Sequence, residues 1–258
     1  LGSAAYVTGL AARSWGLPPE LAVLCGTAVA TALGAIIGSL AIRRSGIYFA
    51  MITLGFAQLV YFLVVQMGWT GGEDGLQGIP RGKALGVIPL DQPLTMYYFV
   101  LGAFLAGFWI IWRAIHSPFG HVLRAVRENE PRALSLGYDV SRYKLMAFVL
   151  SAALSGLAGS LKVLVLQFAS FSDVHWHRSG EVVLMTLLGG MGTVVGPSVG
   201  ALLVVTLENY FAEVGSWVTV ITGGVFVLCV IAFRRGIVGE IRRVWRRSFI
   251  GVKTPTSE

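Results

Sequence analysis

Four long apolar stretches constrain the fold of this chain more than any other feature of its sequence. They cover roughly residues 21–42, 47–68, 95–115 and 145–168. A helix needs about 20 consecutive apolar residues to cross a hydrocarbon layer about 30 Å thick, and each stretch has that length. We therefore predict an all-α fold, a polytopic transmembrane helical bundle.

Two further stretches are apolar, and they differ in kind. Residues 216–233 make a fifth continuous run, whereas 181–210 is interrupted by residues that are costly inside a straight helix. The interrupting residues are Gly189, Gly190, Gly192, Gly196 and Pro197. We interpret 181–210 as a Gly-rich re-entrant or broken helix, formed by two arms around the break.

The basic residues predict how the spans are oriented. Of the 20 lysines and arginines, 15 fall at Arg43 and Arg44, within 113–144, or in the tail from Arg234 onward. Short loops rich in Lys and Arg face the cytoplasm. The segment 181–210 must then begin and end outside, which favours a re-entrant hairpin. The predicted domains are a transmembrane domain over 1–236 and a basic cytoplasmic tail over 237–258.

The composition excludes several classes of protein. The chain is 55% hydrophobic and 13% charged, which is unlike a water-soluble enzyme. Its formal charge of +7 does not indicate nucleic acid binding, because the basic residues lie in gaps between apolar runs. Gly82 and Lys83 are followed by Ala84, so the pair does not complete a P-loop. His175 and His177 lack a nearby third ligand, and no metal site is predicted.

The polar segment 113–144 is itself patterned as a short amphipathic helix. Ser117 followed by Pro118 is typical of a helix start, and Gly137 suits the position after a helix end. Apolar residues at helical spacing form one side: Phe119, Val122, Leu123 and Val126. Charged residues form the other side: Arg124, Arg127 and Glu128. Such a helix either lies on the lipid headgroups as a connector or docks a cytoplasmic partner.

The sequence from Ser117 onward resembles a known family of permeases. It reads SPFGHVLRAVRENEPRALSLGYDVSRYKLMAFVLSAALSGLAGSL. Three other stretches support the resemblance: GIYFAMITLGFAQLV, WTGGEDGLQGIP and LLGGMGTVVGPSVGALLV. In this order they resemble the branched-chain amino acid permeases of ABC importers, from Leu1 to about Gly236. Such permeases usually carry further helices before the position of Leu1, so we expect an N-terminally truncated chain.

The resemblance implies that the segment 113–144 couples the permease to an ATPase. The family's pattern of a glutamate, small residues and a glycine falls on Glu130, Ala133 and Gly137. The full predicted coupling surface consists of Arg124, Arg127, Glu128, Glu130, Ala133 and Gly137.

The resemblance also implies a set of partners. These are a second permease subunit, two ABC ATPase subunits and an external, periplasmic substrate-binding protein, all at a bacterial inner membrane. The ATPase uses ATP, and no cofactor is expected on this chain. The expected substrates are branched-chain or related amino acids, with urea or short amides as an alternative. A self-sufficient channel or secondary carrier is the rival class, and it usually needs charged residues within the membrane.

A route for a zwitterionic amino acid needs polar groups that carry no fixed charge. Candidates for the route are Tyr48, Thr53, Gln58, Ser151, Gly190, Gly192, Gly196 and Pro197. Hydrogen bonding between helices is the alternative explanation for the polar side chains among them. Lys162, inside the fourth span, is expected to snorkel outward.

Overall fold

The computed structural model describes residues 1–67, 75–84, 88–211, 223–224 and 238–239. Most of the predicted span 216–233 and of the tail 237–258 therefore lies outside the described residues. The chain divides into two compact units, Leu1–Trp176 and His177–Glu258, and each is described by itself.

Helices make up most of the first unit. In chain order they are α1 (Gly2–Ser14), α2 (Pro19–Ala41), α3 (Ile47–Gln66), α4 (Pro93–Ile115), α5 (Pro118–Glu128), α6 (Glu130–Ser135) and α7 (Val140–Leu166). Within the described residues, α2, α3, α4 and α7 are long and apolar enough to cross a membrane. This result confirms the predicted fold class. The helix α7 begins earlier than residue 145, because the Asp139 side chain caps it by accepting a hydrogen bond from the Arg142 N–H at 3.2 Å.

The centre of this unit is formed by α1, α2 and α7, which pack through small residues. A Cβ placed on Gly156 of α7 would lie 2.6 Å from the Ala30 Cβ of α2. On α1, the Thr8 hydroxyl donates a hydrogen bond to the Ser160 hydroxyl of α7 at 2.8 Å, and both residues are fully buried. Small residues allow close approach of helix backbones, which supplies packing energy that the lipid environment does not.

The loops at one end of the bundle pair with one another. Strand β1 (Leu76–Gln77) pairs antiparallel with β4 (Phe168–Ala169), and β2 (Lys83–Ala84) pairs with β3 (Ile88–Pro89). The Arg13 guanidinium at the end of α1 donates to the Gln77 carbonyl at 3.1 Å. These contacts join loops that the charge pattern predicts to lie on the same, external side.

The opposite end of the bundle carries the segment 113–144. Near the end of α2, a Cβ placed on Gly38 would contact Leu145 and Phe148, which lie in the first turns of α7. The Arg43–Arg44 gap and the segment 113–144 therefore share one end of the bundle. This agrees with the prediction that both face the same compartment.

The described part of the second unit contains two helices with a break between them. They are α8 (Trp176–Gly189) and α9 (Gly196–Phe211). The break coincides with the predicted Gly-rich interruption. Whether the element is re-entrant remains a prediction.

Candidate functional site

The helix α5 begins where the sequence predicts, but its N-cap works differently. Ser117 occupies the N-cap position and Pro118 the first turn. The Ser117 hydroxyl donates a hydrogen bond to the Ala114 carbonyl of α4 at 2.7 Å, instead of accepting one from α5. The hydroxyl therefore ties α5 back to the end of α4. Gly120 reinforces this junction, since a Cβ there would clash with the backbone carbonyls of Ala114 and Ile115.

Two side-chain caps and one glycine shape the rest of the segment. Asn129 ends α5 and caps α6, because its side chain accepts a hydrogen bond from the Arg132 N–H at 3.1 Å. Gly137 follows the end of α6 with φ of +86°, a conformation that glycine adopts at little cost. The Tyr138 N–H then donates to the Ala133 carbonyl at 3.2 Å, closing the turn. The predicted role of Gly137 as the residue after the helix end is confirmed.

The segment has a small apolar core of its own. Val126, Ala133 and Val140 are buried together, and Val122 packs against them. Ala133, which the resemblance assigns to the coupling surface, is only 2% exposed. Its side chain therefore holds α6 against α5 and α7 and is not available for contact with a partner.

An ion pair ties α6 to α7. The Lys144 Nζ lies 2.6 Å from the Glu130 Oε1, and both side chains are partly exposed. The pair joins residues 14 positions apart, so it links separate elements and is not a neighbour contact within one helix. This pair and the burial of Val140 beside Ala133 connect α6 to the start of α7.

The charged residues of α5 lie in two different environments, one beside a cavity and one away from it. Arg124, Arg127 and Glu128 are all exposed, as predicted. Arg124 and Arg127, however, line a cavity together with Phe119 and Leu123, whereas Glu128 does not. The charged and apolar sides of α5 are therefore not fully separated, because two of the charged residues and two of the apolar residues line the same cavity.

This cavity, of about 430 Å³, lies between α4, α5 and α7, and we call it the α4–α7 groove. Nearly all of its lining is apolar. The lining residues are Ile111, Ala114, Ile115, Phe119, Gly120, Leu123, Arg124, Arg127, Ala147, Leu150, Ser151 and Leu154.

The structure does not bring the predicted pathway residues of the spans together. Tyr48, Thr53 and Gln58 all lie on α3 at intervals of five residues, which turns each about 140° from the last on an α-helix. They therefore do not share one face. Thr53 bonds within its own helix, donating to the Phe49 and Ala50 carbonyls, each at 3.0 Å. Ser151 lies in the α4–α7 groove.

The Gly-rich break between α8 and α9 is held by its own hydrogen bonds. Gly190 has φ of +114°, and its carbonyl accepts from the Thr193 N–H at 3.2 Å. The Thr193 hydroxyl accepts from the Gly196 N–H at 3.0 Å. Pro197 then lies in the first turn of α9, where its missing N–H costs little. The break is a defined turn that depends on glycine at Gly190.

Crowding distinguishes the glycines of this turn. A Cβ on Gly196 would lie 2.6 Å from the Gly190 carbonyl oxygen, and Cβ atoms on Gly189 and Gly200 would clash with backbone of the facing helix. A Cβ on Gly192 would meet no atom within 4 Å. The close approach of α8 and α9 therefore depends on Gly189, Gly196 and Gly200, and two of these are absent from the predicted pathway set.

Comparison with known proteins places these features in a family. Residues 1–232 match the family described as the permease component of the branched-chain amino acid transport system. The chain belongs to this family. It is a multi-pass protein of a bacterial inner membrane, and its relatives are permease subunits of ABC transporters.

Several individual relatives of this permease can be compared in length and identity. It is 28% identical to the high-affinity branched-chain amino acid transport system permease protein LivM of Escherichia coli K12 and of Salmonella typhimurium. Each of these alignments covers 83% of the present chain and 56% of the relative. It is also 30% identical to the ribose import permease protein RbsC of Bacillus subtilis, over 64% of the present chain and 51% of the relative. The permease thus spans about half the length of these relatives. No solved structure matches the chain.

Two features of the permease were missed by the sequence analysis. Lys162 reaches toward the end of α7 that is predicted to lie outside, but it is paired there, because its Nζ lies 2.5 Å from the Oδ1 of Asp173, whose side chain is only 4% exposed. Arg81 caps the end of α7, donating to the Val165 carbonyl at 2.7 Å and to the Leu164 carbonyl at 3.3 Å. In each of these two interactions, the partners lie too far apart in sequence for a local sequence pattern to connect them.

Proposed function

We propose that this chain is the membrane-spanning permease subunit of an ABC importer that moves branched-chain or related amino acids inward. The observation that carries the proposal is the folded segment 113–144 at one end of a bundle with four membrane-spanning helices. Its caps, its apolar core and its tie to α7 give it a fixed shape. A connector that only lay on headgroups would need none of these contacts between elements.

The surface proposed to meet an ATPase combines exposed charged side chains with exposed leucines. Glu128 and Glu130 are exposed at the junction of α5 and α6. Leu134 and Leu136 are also exposed, at 55% and 69%, on the far side of the segment's core. Leucines that stay exposed on a polar segment are candidates for burial by a partner. Gly137 forms the turn that leaves Leu136 exposed, and Ala133 packs in the apolar core of the segment.

The Glu130–Lys144 pair supplies a route from this surface to the membrane. Force applied to α6 by an ATPase reaches α7 through the ion pair and through the shared burial of Ala133 and Val140. Since α7 packs along α2 and α1 in the centre of the bundle, a shift at its first turn moves a central helix. Arg124 and Arg127 lie apart from this route, over the α4–α7 groove.

The substrate is proposed from the relatives. The LivM proteins, named for branched-chain amino acids, match 83% of the chain, whereas the ribose permease matches 64% and an autoinducer 2 permease of Klebsiella pneumoniae matches 69%. We therefore place branched-chain amino acids first and a sugar-like solute second. The remaining proposed partners are a second permease subunit, two ATPase subunits that bind ATP, and an external substrate-binding protein.

A charge reversal tests the coupling surface. Glu128→Lys should leave the permease folded, because an exposed charge contributes little to the fold of its own chain. It should reduce co-purification of the ATPase by about tenfold or more, since a like charge placed against a complementary surface costs several kcal/mol. Asp91→Lys is the matched control, because Asp91 is an exposed acid at the opposite end of the bundle.

The readouts are ATPase co-purification and substrate-stimulated ATP hydrolysis in the reconstituted complex, with the amount of folded permease measured in parallel. Equal ATPase binding and stimulation in wild type, Glu128→Lys and Leu136→Asp would remove the coupling role from this segment.

A further inference from the structure

The α4–α7 groove has no role in the transport function proposed above. The helices α4 and α7 approach each other near Gly107, where an added Cβ would lie 3.7 Å from Leu154. From that level the groove extends to the last turn of α4 at Ile115, and α5 lies across it. The groove is thus bounded by two membrane-spanning helices and by the amphipathic helix at one end of the bundle.

The lining of the groove is unsuited to a zwitterionic solute. Ser151 is the one uncharged polar side chain that lines it, and the other lining residues apart from the two arginines are aliphatic, aromatic or glycine. An amino acid would have to bury its ammonium group there with no carboxylate to pair with it and with the Ser151 hydroxyl as the one side-chain acceptor in the lining. A hydrocarbon chain carries no such cost, and it gains contact with Ile111, Leu150 and Leu154.

The two charged side chains that line the groove are both cationic. Arg124 and Arg127 are three residues apart on α5, so they project from neighbouring positions on one face. Within the described part of the chain, neither guanidinium makes an ion pair or a side-chain hydrogen bond. Arg142 of the same segment, in contrast, pairs with Asp139 at 2.7 Å. Two arginines with no ion-pair partner among the described residues, beside an apolar groove, complement a ligand with an anionic head and an apolar chain.

We propose that the α4–α7 groove binds an anionic phospholipid of the cytoplasmic leaflet, with an acyl chain in the groove and the phosphate held by Arg124 and Arg127. Guanidinium groups bind phosphate oxygens through charge-assisted, often bidentate hydrogen bonds. Basic pockets between membrane helices on the cytoplasmic side suit such headgroups. The lipid would fix the position of α5 against α4 and α7.

The test measures lipid retained by the purified full chain, without any ATPase, so it does not depend on the proposed coupling. The protein is exchanged into a mild detergent that contains equal amounts of phosphatidylglycerol and phosphatidylcholine, and bound lipid is quantified by native mass spectrometry. The wild type should retain phosphatidylglycerol in preference to phosphatidylcholine. The double variant Arg124→Gln, Arg127→Gln should lose at least about tenfold in this preference.

Two further variants separate specific binding from general attraction. Arg132→Gln with Arg142→Gln removes the same charge from the same segment but leaves the groove untouched, and it should retain phosphatidylglycerol within about twofold of wild type. Ala147→Phe fills the groove without changing the charge, and it should lose the lipid. Thermal unfolding of each variant confirms that the chain is folded.

Three results would overturn the proposal. The first is equal retention of phosphatidylglycerol in the wild type and in Arg124→Gln, Arg127→Gln. The second is an equal loss in both double variants, which would indicate nonspecific attraction to the basic segment. The third is displacement of the lipid by millimolar inorganic phosphate, which would show that a free anion, and not a lipid, is bound.

Discussion

The contact of α1, α2 and α7 at Gly26 gives the sharpest prediction about the fold. A Cβ at Gly26 would clash with the Thr8 hydroxyl oxygen and would lie 2.7 Å from both the Ala4 carbonyl oxygen and the Ser160 hydroxyl oxygen. The Ala4 carbonyl is backbone and cannot rotate away. The Gly26→Ala substitution must therefore separate α1 from α2 or displace the Thr8–Ser160 hydrogen bond.

The cost of Gly26→Ala combines two effects. Overpacking of a tight interior costs about 1–3 kcal/mol, and loss of one buried hydrogen bond costs about 1 kcal/mol. The free energy of unfolding should fall by about 2–4 kcal/mol, which lowers the melting temperature by roughly 5–15 °C on the scale of soluble domains of this size. Gly55→Ala on α3 is the matched control, because a Cβ there meets no atom within 4 Å. Alanine at that position should be neutral or slightly stabilising.

The assay is the temperature at which half of the detergent-purified protein remains monodisperse. A second variant checks the assigned cause. Thr8→Ala removes the hydroxyl nearest to the new Cβ, so Thr8→Ala with Gly26→Ala should recover part of the lost stability. Melting temperatures of Gly26→Ala and Gly55→Ala that agree within about 2 °C would refute the packing of α1 between α2 and α7.

Three other predictions follow from the structure. Lys162→Met removes the ammonium group that lies 2.5 Å from the buried Asp173 carboxylate and should destabilise the protein by about 1–3 kcal/mol, measured as loss of thermal stability. Gly196→Val should abolish uptake, because its side chain collides with the Gly190 carbonyl, whereas a side chain at Gly192 meets no described atom within 4 Å and should leave the α8–α9 turn folded. A cysteine at Arg124 should resist a membrane-impermeant maleimide added to intact cells, because the charge pattern predicts that the segment 113–144 faces the cytoplasm.

Each of these predictions has its own control. The double variant Lys162→Met, Asp173→Asn should be more stable than Lys162→Met alone, and an equal loss in both would show that the pair does not compensate the buried charge. Normal uptake by Gly196→Val would remove the α8–α9 turn from the mechanism. A cysteine at Asp91 should react from outside, and labelling at Arg124 instead would invert the predicted topology.

The membrane-spanning helices could be predicted because their length and apolarity are dictated by the bilayer and not by tertiary contacts. The helix α1 could not be identified in this way. Only 13 residues of α1 belong to this chain, fewer than the apolar length by which a span is recognised, and their burial depends on small residues of α2 and α7 such as Gly26 and Gly159. The sequence alone does not identify which neighbouring helix packs against a given glycine, because this depends on how the helices are arranged in the bundle.

In the segment 113–144, too, the sequence predicts the helix but not the surroundings of its side chains. Helical periodicity correctly separates Val126 from Glu128. It cannot show that Val126 is enclosed by α6 and α7 while Leu123 faces an open groove, since that depends on where the neighbouring helices lie. The Lys162–Asp173 pair was missed for a related reason. The chain reverses after α7, where Gln167 adopts φ of +55°, and the reversal returns Asp173 to a lysine eleven residues earlier.

Uptake into proteoliposomes tests most directly whether this permease works within an ATP-driven amino acid importer. The full transporter, assembled with its second permease subunit and ATPase, is reconstituted with ATP inside and with the purified binding protein and labelled leucine outside. We predict that leucine accumulates only when both ATP and the binding protein are present, and that labelled ribose does not accumulate. Accumulation of leucine driven by an ion gradient in the absence of ATP would contradict the account.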